Sequence, residues 1–533
     1  MSEVAAGEGA SGRGGAAERM ARGARRVSAL TMLSRVLGLV REQIFAATLG
    51  AGMYSDAFLA AFRIPNLLRD LFAEGALTTA FVPTYVSTLK NESRAAAYAL
   101  ANRVLSTLTI YLSVLAALAM LFPQPVVALV ATGFGAEKAA LCARLVRIMM
   151  PFLPLISLAV VAMGALNAEE RYSAPALASS MFNVVAILGG AVVHGLAPGG
   201  TAAVTTWAAL TLVGGAAQLA IQLPTLWRMG FRPRLLPDLR LRDPGTRRIA
   251  ALMAPATLGV AAVQINVVVN TTFASLVSNG AISWLNYSFR LMQLPIGVFG
   301  VAVATTSLTH LSRDAAAHDW PALSATLRRG VRMVLFLTVP STVGLALLGV
   351  PIIRLIYQHG RFTEVATLET AHALSGYALG LVAYSAIKVV APAFYALGRT
   401  RVPLLASLSA VAANLAWNWL TFRRLGHVGL AVGTSIAATV NLAVLVIAYQ
   451  TQIRGLFTRD LFSALARIAL AAAIMGAAVW FLSAHLEPLQ MPRLIGWVIK
   501  VFVPIVAGAA IYFAAARLLK LPEASALIHR RRR

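Results

Sequence analysis

Residues 34–50 read SRVLGLVREQIFAATLG, and residues 55–83 read SDAFLAAFRIPNLLRDLFAEGALTTAFVP. Each run is long and apolar enough to predict a membrane-length helix. Yet together they hold Arg35, Arg41, Glu42, Asp56, Arg63, Arg69, Asp70 and Glu74. A charge facing lipid near the bilayer centre costs about 2.5–3.5 kcal/mol on insertion scales. These side chains are therefore expected to face protein, a watery cavity or the interface. The basic excess points to a cavity that receives an anion.

The remainder of the chain agrees with a membrane reading. Of 533 residues, 59% are hydrophobic and 12% charged, about half the charged share of soluble domains. A net charge of +26 would suggest nucleic acid in a soluble protein. In a membrane protein it reads as Arg collected in cytoplasmic loops, so nucleic acid is not an expected partner. The lone Cys142 excludes an intramolecular disulfide and is expected to be an inert packing residue. His310, His359, His427 and His485 show no paired metal spacing. No phosphate-binding glycine loop, nucleophile motif or acidic metal pair stands out, so the expectation is a non-enzyme with no cofactor. Residues 1–27 lack the apolar core of a signal peptide. They read as a disordered basic cytoplasmic tail, and 521–533, ending in HRRRR, as another.

Counting apolar runs of about 20 residues predicts roughly fourteen spans. They lie near 28–49, 55–88, 103–131, 139–166, 174–194, 201–226, 249–275, 281–309, 330–357, 366–397, 402–421, 428–450, 462–484 and 494–518. Loops after even-numbered spans are basic, most of all 228–248 with Arg228, Arg232, Arg234, Arg240, Arg242, Arg247 and Arg248. Loops after odd spans are poor in Lys and Arg, apart from Arg423 and Arg424. Both termini are therefore expected in the cytoplasm.

An internal repeat divides the chain. FRIPNL at 62–67 resembles FRLMQL at 289–294, which sets Arg63 against Arg290 at an offset of 227. Pro125 matches Pro351 at 226, and Arg171 matches Arg399 at 228. Several weak matches near one offset outweigh any single one. The fold class is thus an all-α polytopic membrane protein: two six-helix lobes, 28–227 and 249–451, related as parallel repeats, with a basic linker at 228–248. Two extra C-terminal helices at 452–520 fall outside the repeat. Parallel repeats with a site between them are a known transporter plan.

Asp56, Arg63 and Asp70 are spaced by seven and Glu74 follows four later, so the four share one face of a regular helix. Pro65 should break that helix, and Arg290 precedes Pro295, Gly297 and Gly300 in the matching place. Guanidinium suits a diphosphate because its planar fork makes two charge-assisted hydrogen bonds. Arg35, Arg41, Arg69 and Arg290 are accordingly the candidate ligand contacts, with Arg63 and Asp56 beside them. Glu42, Asp70, Glu74 and Gln293 are candidate gating or ion-pair residues. The competing reading is internal ion pairing that only holds helices. Lys388 can snorkel, as can Arg144 and Arg147. Asn266, Asn414 and Asn418 suggest a small polar pocket, for which interhelical hydrogen bonding is the simpler account.

At SRVLGLVRE, at 55–83 and at FYALGRTRVP (394–403) the sequence closely resembles the MurJ (MviN) family of bacterial lipid II flippases. That family lies within the multidrug/oligosaccharidyl-lipid/polysaccharide exporter superfamily. The resemblance runs from about 28 to 518 and implies fourteen helices, with the last two forming a groove for a polyprenyl tail. It implies that undecaprenyl-diphosphate-linked disaccharide-pentapeptide is carried across the inner membrane for peptidoglycan assembly. Lipid II, membrane lipids and cell-wall synthesis or division proteins are the implied partners. The required cavity arginines of the family match Arg35, Arg41, Arg69 and Arg290, and its first-loop aspartate matches Asp56. Gln293 stands where an acid is common, and Phe289 replaces a frequent polar residue. The carboxylates with which some members hold sodium have only Asn266, Asn414 and Asn418 as counterparts here, which argues against a metal site. A flippase for another lipid-linked saccharide, a small-cation antiporter, a polytopic glycosyltransferase and a non-transporting scaffold are the alternatives.

Overall fold

The structure, a computed structural model, describes residues 29–196, 199–486 and 492–529. Residues 1–28 and 530–533, which take in the whole of the expected N-terminal tail and the last four residues of the C-terminal one, lie outside the described residues. Every regular element among the described residues is helical. Ten of these helices are long and apolar enough to cross a membrane. One of the ten, Arg401–Gln452, is two helices joined at Gly426, whose φ of 55° and ψ of −142° interrupt the run. That break falls where the loop between two spans was expected.

The chain divides into two compact units, residues 1–50, 57–130 and 135–261 in one, and 51–56, 131–134 and 262–533 in the other. The first contains α1 (residues 29–49), α2 (Met53–Arg69) from residue 57 onward, α3 (Gly75–Asn91), α4 (Arg94–Leu121) and α5 (Pro123–Val130). It continues with α6 (Ala136–Met149), α7 (Phe152–Ala168), α8 (Ser173–Leu196), α9 (Gly200–Ala220), α10 (Leu223–Arg228) and the start of α11 (Pro244–Val277). Its core is built on Leu77, Phe81, Tyr85, Phe152, Ile156 and Leu166. Small residues set the helix spacing: a Cβ at Gly190 would lie 2.4 Å from the Trp207 ring.

The second unit holds the rest of α11, α12 (Ala281–Pro295), α13 (Val301–Ala316), α14 (Trp320–Leu347), α15 (Gly349–Tyr357), α16 (Glu364–Ala396) and α17 (Arg401–Gln452). The helices beyond the repeat, α18 (Arg459–Leu486) and α19 (Arg493–Leu518), also belong to it. They share a core with α14 through Phe336, Ile468, Met475 and Tyr512, and the Tyr512 hydroxyl donates to the Phe336 carbonyl at 2.7 Å. The segment expected to begin the C-terminal tail is instead helical, α20 (Pro522–His529). Glu523 is buried in it and pairs with Arg332 at 2.7 Å.

The repeat read from the sequence recurs in the order of elements. α4 and α14 are both 28 residues long and start 226 positions apart, as do α5 and α15. The match extends to irregular backbone: π-helical turns occupy Asp70–Glu74 and Ile296–Gly300, again 226 apart. In each case a proline precedes the turn, but the expected break at Pro65 is displaced. α2 continues through Pro65 to Arg69, and the widening comes at Asp70. A π turn inserts an extra residue, so the face shared by Asp56, Arg63 and Asp70 does not run on at the same spacing. The Glu74 side chain lies outside the described residues.

Candidate functional site

In the first unit, an aromatic series fixes the helices that carry the basic side chains. Phe45, Phe58, Phe62, Phe152 and Phe182 follow one another at centroid distances of 4.9, 6.0, 5.7 and 6.0 Å. The α1–α8 register is set by Asn183, whose Nδ2 donates to the Ser34 carbonyl at 3.0 Å. Its neighbour Phe182 lies under Arg41, with the guanidinium carbon 5.4 Å from the ring centre. A guanidinium over an aromatic face is held by about 0.5–2 kcal/mol, so Arg41 is positioned by packing as well as by charge.

Arg41 also donates to Glu42 Oε1 at 3.0 Å, and Arg69 donates through Nε and Nη2 to Asp70 Oδ1 at 3.1 and 2.8 Å. Ion pairing of these two arginines, the competing reading of the sequence, is therefore present. Both pairs join adjacent residues and keep partial access, with Arg41 19% and Arg69 24% exposed at the side chain. Neighbouring residues on a helix do not face each other, so each pair bends a long side chain back along the helix. Arg35 is exposed on α1 and Arg63 half-buried on α2. The π turn after Arg69 is supported by Thr257, whose hydroxyl donates to the Leu71 carbonyl at 3.3 Å. Such side-chain support is how irregular backbone is tolerated inside a span.

In the second unit, Arg290 and Gln293 are exposed on α12, one turn apart and just before the second π turn. Phe289 beside them packs edge-on to Tyr377 at 5.3 Å. Lys388 is exposed on α16. Arg144 and Arg147 are exposed on α6, where Arg147 Nε donates to the Met120 carbonyl.

Asp56 departs from its expected role. It is fully buried, and its carboxylate accepts from the backbone N–H of Gly280 (2.7 Å) and Ser283 (2.9 Å) and from the Ser283 hydroxyl (2.6 Å). It therefore serves as the N-terminal cap of α12, supplied from a distant part of the chain. A substrate contact would require it to leave three donors, so the structure argues for a structural role.

Of the three suggested amides, the structure joins two and adds one that the sequence reading overlooked. Asn418 Nδ2 donates to Asn414 Oδ1 and, at 2.8 Å, to Asn270 Oδ1; Asn270 Nδ2 donates to Thr434 Oγ1 at 3.1 Å. Asn414 and Asn418 are fully buried. Asn266 sits one turn before Asn270 and makes no hydrogen bond to this group, so Asn270 replaces it in the cluster. The spacing was the available signal: 266 and 270 repeat the four-residue interval of 414 and 418. No group of His, Cys, Asp and Glu that could hold a metal occurs among the described residues.

A profile of the family described as "Lipid II flippase MurJ" matches residues 45–496. The chain is 37% identical over 422 residues to the lipid II flippase MurJ of Burkholderia cenocepacia, covering 78% of this chain and 81% of that one. It is 34% identical over 464 residues to the probable lipid II flippase MurJ of Vibrio cholerae, covering 85% and 87%. Among solved structures, a lipid II flippase MurJ in an inward closed conformation superposes with a TM-score of 0.78. That match has 26% identity and covers 92% of this chain and 99% of that one. An inward-facing multidrug transporter of the MATE family matches with a TM-score of 0.64 at 16% identity, over 81% and 98%, which is a likeness of fold alone.

Proposed function

The chain belongs to the MurJ family of lipid II flippases, and from that membership we propose how its basic side chains serve transport. The protein is a multi-pass membrane transporter that flips lipid II. Arg35, Arg41, Arg69 and Arg290 bind the diphosphate of the lipid, with Arg63 adding positive charge, while the polyprenyl tail stays in lipid along α18 and α19. The supporting observation is the distribution of charge. With Asp56 occupied by Gly280 and Ser283, the sequence sets Arg35, Arg41, Arg63 and Arg69 of α1 and α2 against Glu42, Asp70 and Glu74, and the Arg41 and Arg69 side chains keep partial access beside their neighbouring carboxylates.

On this reading the Glu42 and Asp70 pairs are resting partners. A diphosphate offers more acceptor oxygens than one carboxylate and can take over the same guanidinium forks. The two π turns follow directly on the segments that carry Arg69 and Arg290, where backbone of altered pitch allows a change of side-chain direction. The cycle is alternating access, with the headgroup taken from the cytoplasmic leaflet of the inner membrane and released on the other side. Both termini are then cytoplasmic. Moving one charge across the membrane is worth about 2.3 kcal/mol per 100 mV. A negative interior therefore favours export of the anionic headgroup and return of an empty cationic site. No residue acts chemically on the lipid.

Complementation tests the assignment. In a strain depleted of its own flippase, Arg69→Ala and Arg290→Ala should reach the membrane yet fail to restore growth or outer-leaflet exposure of lipid II. Normal growth with both variants would remove the arginines from the mechanism.

A further inference from the structure

The Arg-rich segment between the repeats was expected to be a simple connector, but it is bound along α4. Tyr98 donates through its hydroxyl to the Met229 carbonyl, and Asn102 both donates to the Arg232 carbonyl and accepts from the Arg234 N–H. Ser106 donates to the Arg234 carbonyl and accepts from the Leu236 N–H; Thr107 accepts from the Asp238 N–H. Tyr111 donates to the Leu239 carbonyl, and Arg103 pairs with Asp243. The side chains recur every four residues at 98, 102 and 106, one helix face, and 98 to 111 spans about 20 Å. Asn102, Ser106 and Thr107 are buried beneath the segment.

The other side of this strap is apolar and cationic together. Leu235 is 77% exposed, Leu239 46%, and Leu236 is exposed with them; Arg232, Arg234, Arg240 and Arg242 are exposed as well. A connector in bulk water gains nothing from three outward leucines, and water would satisfy its backbone. Here protein side chains satisfy the backbone instead, as is required next to hydrocarbon. α4 is 28 residues long, about 42 Å against a hydrocarbon layer of about 30 Å. The excess of about 12 Å sets the start of α4, where Tyr98 and Asn102 hold Met229 to Arg234, in the headgroup zone. From there the strap runs on into the acyl boundary, where leucines meet the chains and long arginine side chains reach back to phosphate.

We propose that residues 231–243 form an interfacial strap that beds into an anionic phospholipid surface, with Leu235 and Leu239 at the acyl boundary and the four arginines on lipid phosphates. The assignment rests on the membrane reading above but not on the diphosphate site. The test uses the full-length protein carrying Leu235→Cys, labelled with an environment-sensitive fluorophore, in nanodiscs of phosphatidylcholine with or without phosphatidylglycerol. Cys142 is buried, and the unsubstituted protein taken through the same labelling supplies the background. The label should emit at an apolar wavelength and be quenched by lipids brominated near the headgroup end of the chain. Adding phosphatidylglycerol should strengthen both effects. With Arg232, Arg234, Arg240 and Arg242 all changed to Gln, native mass spectrometry should find retained phosphatidylglycerol reduced several-fold. That variant should still restore growth to a flippase-depleted strain, which separates failure of the strap from failure of the transporter. A water-like, unquenched label in both lipid mixtures, or unchanged lipid retention by the Gln variant, would overturn the proposal. Unquenched emission would instead leave the arginines to a soluble acidic partner.

Discussion

Asp56 closes the N-terminus of the helix that carries Arg290: its Oδ1 takes both the backbone N–H and the hydroxyl of Ser283, 227 residues further along the chain. This charge-assisted cap lies in a fully buried position. Removing it leaves the Gly280 and Ser283 donors without water to replace it. Leaving one such buried donor unsatisfied costs about 1–3 kcal/mol. Asp56→Ala should therefore lower the thermal midpoint of the purified protein markedly, and Asp56→Asn, which keeps one acceptor shape, should lower it less. Lipid II retention per folded molecule should remain. If Asp56→Asn kept full stability but lost lipid II in native mass spectrometry, Asp56 would be a ligand contact after all.

The two adjacent ion pairs make separate predictions for charge and for shape. Arg69→Lys keeps the positive charge but loses the planar fork that addresses two oxygens at once. It should retain less lipid II than the unsubstituted protein and more than Arg69→Ala. Asp70→Asn removes the resting partner and should raise retention. Equal binding by the Lys and Ala variants would mean that Arg69 serves its helix rather than the substrate.

Much of this arrangement was legible in the sequence, for reasons that also explain what was not. The repeat offset of 226–228 could be read because Arg63, Pro125 and Arg171 have partners at one interval, and α4, α5 and the first π turn recur at it. Pro65 signalled an irregular helix, but a missing N–H says only that the ladder is interrupted. Where the chain widens is decided by neighbours such as Thr257, 186 residues beyond Leu71. Asp56 carried the charge of a site residue, and its commitment to Ser283 depends on tertiary structure alone. Likewise Asn102, Ser106 and Thr107 read as isolated polar positions in a span, because the backbone they hold lies about 130 residues away.

The amide cluster is predicted to be structural. Asn270, Asn414, Asn418 and Thr434 bond one another without a carboxylate, while Asn414 Nδ2 and Asn418 Oδ1 have no partner among the described residues. In a low-dielectric interior each bond that such a network does make counts for more than at the surface. Asn270→Ala would strand an Asn418 donor and should cost about 1–3 kcal/mol. Exchange of sodium for potassium should leave the thermal midpoint where it is. A sodium-dependent rise, abolished by Asn418→Ala, would turn the cluster into an ion site.

Arg332 ties three helices together, pairing through Nε with Glu523 at 2.7 Å and through Nη1 with Asp460 at 2.6 Å. Glu523 is the buried partner, whereas the Asp460 side chain is 80% exposed and contributes little. Removing one member of a buried pair costs about 3–5 kcal/mol, and the 14% exposure of Arg332 argues for the lower end. Glu523→Gln should therefore destabilise the protein far more than Asp460→Asn. The double variant Arg332→Met/Glu523→Leu should recover part of the loss, since neither charge is then stranded. Equal effects of the two acid substitutions would show that α20 adds nothing to the α14–α19 core.

Acid sensitivity of the strap follows from Asp238. Its carboxylate accepts the backbone N–H groups of Arg242 and Asp243, both at 2.9 Å, and these bonds, with Arg103 and Arg242 nearby, hold its pKa below the ordinary carboxylate range. The folded strap thus prefers the ionised form. The stabilisation is fully present above the unfolded pKa of about 3.9 and disappears as pH falls through the lower folded value. A fluorophore at position 235 should hold its emission from neutral pH down to about 4 and shift only in stronger acid. In the Asp238→Asn variant the strap should be looser at neutral pH, and the acid step should shrink. A transition centred well above the carboxylate range, unchanged in that variant, would assign the pH response to another group and remove Asp238 as the residue that folds the turn.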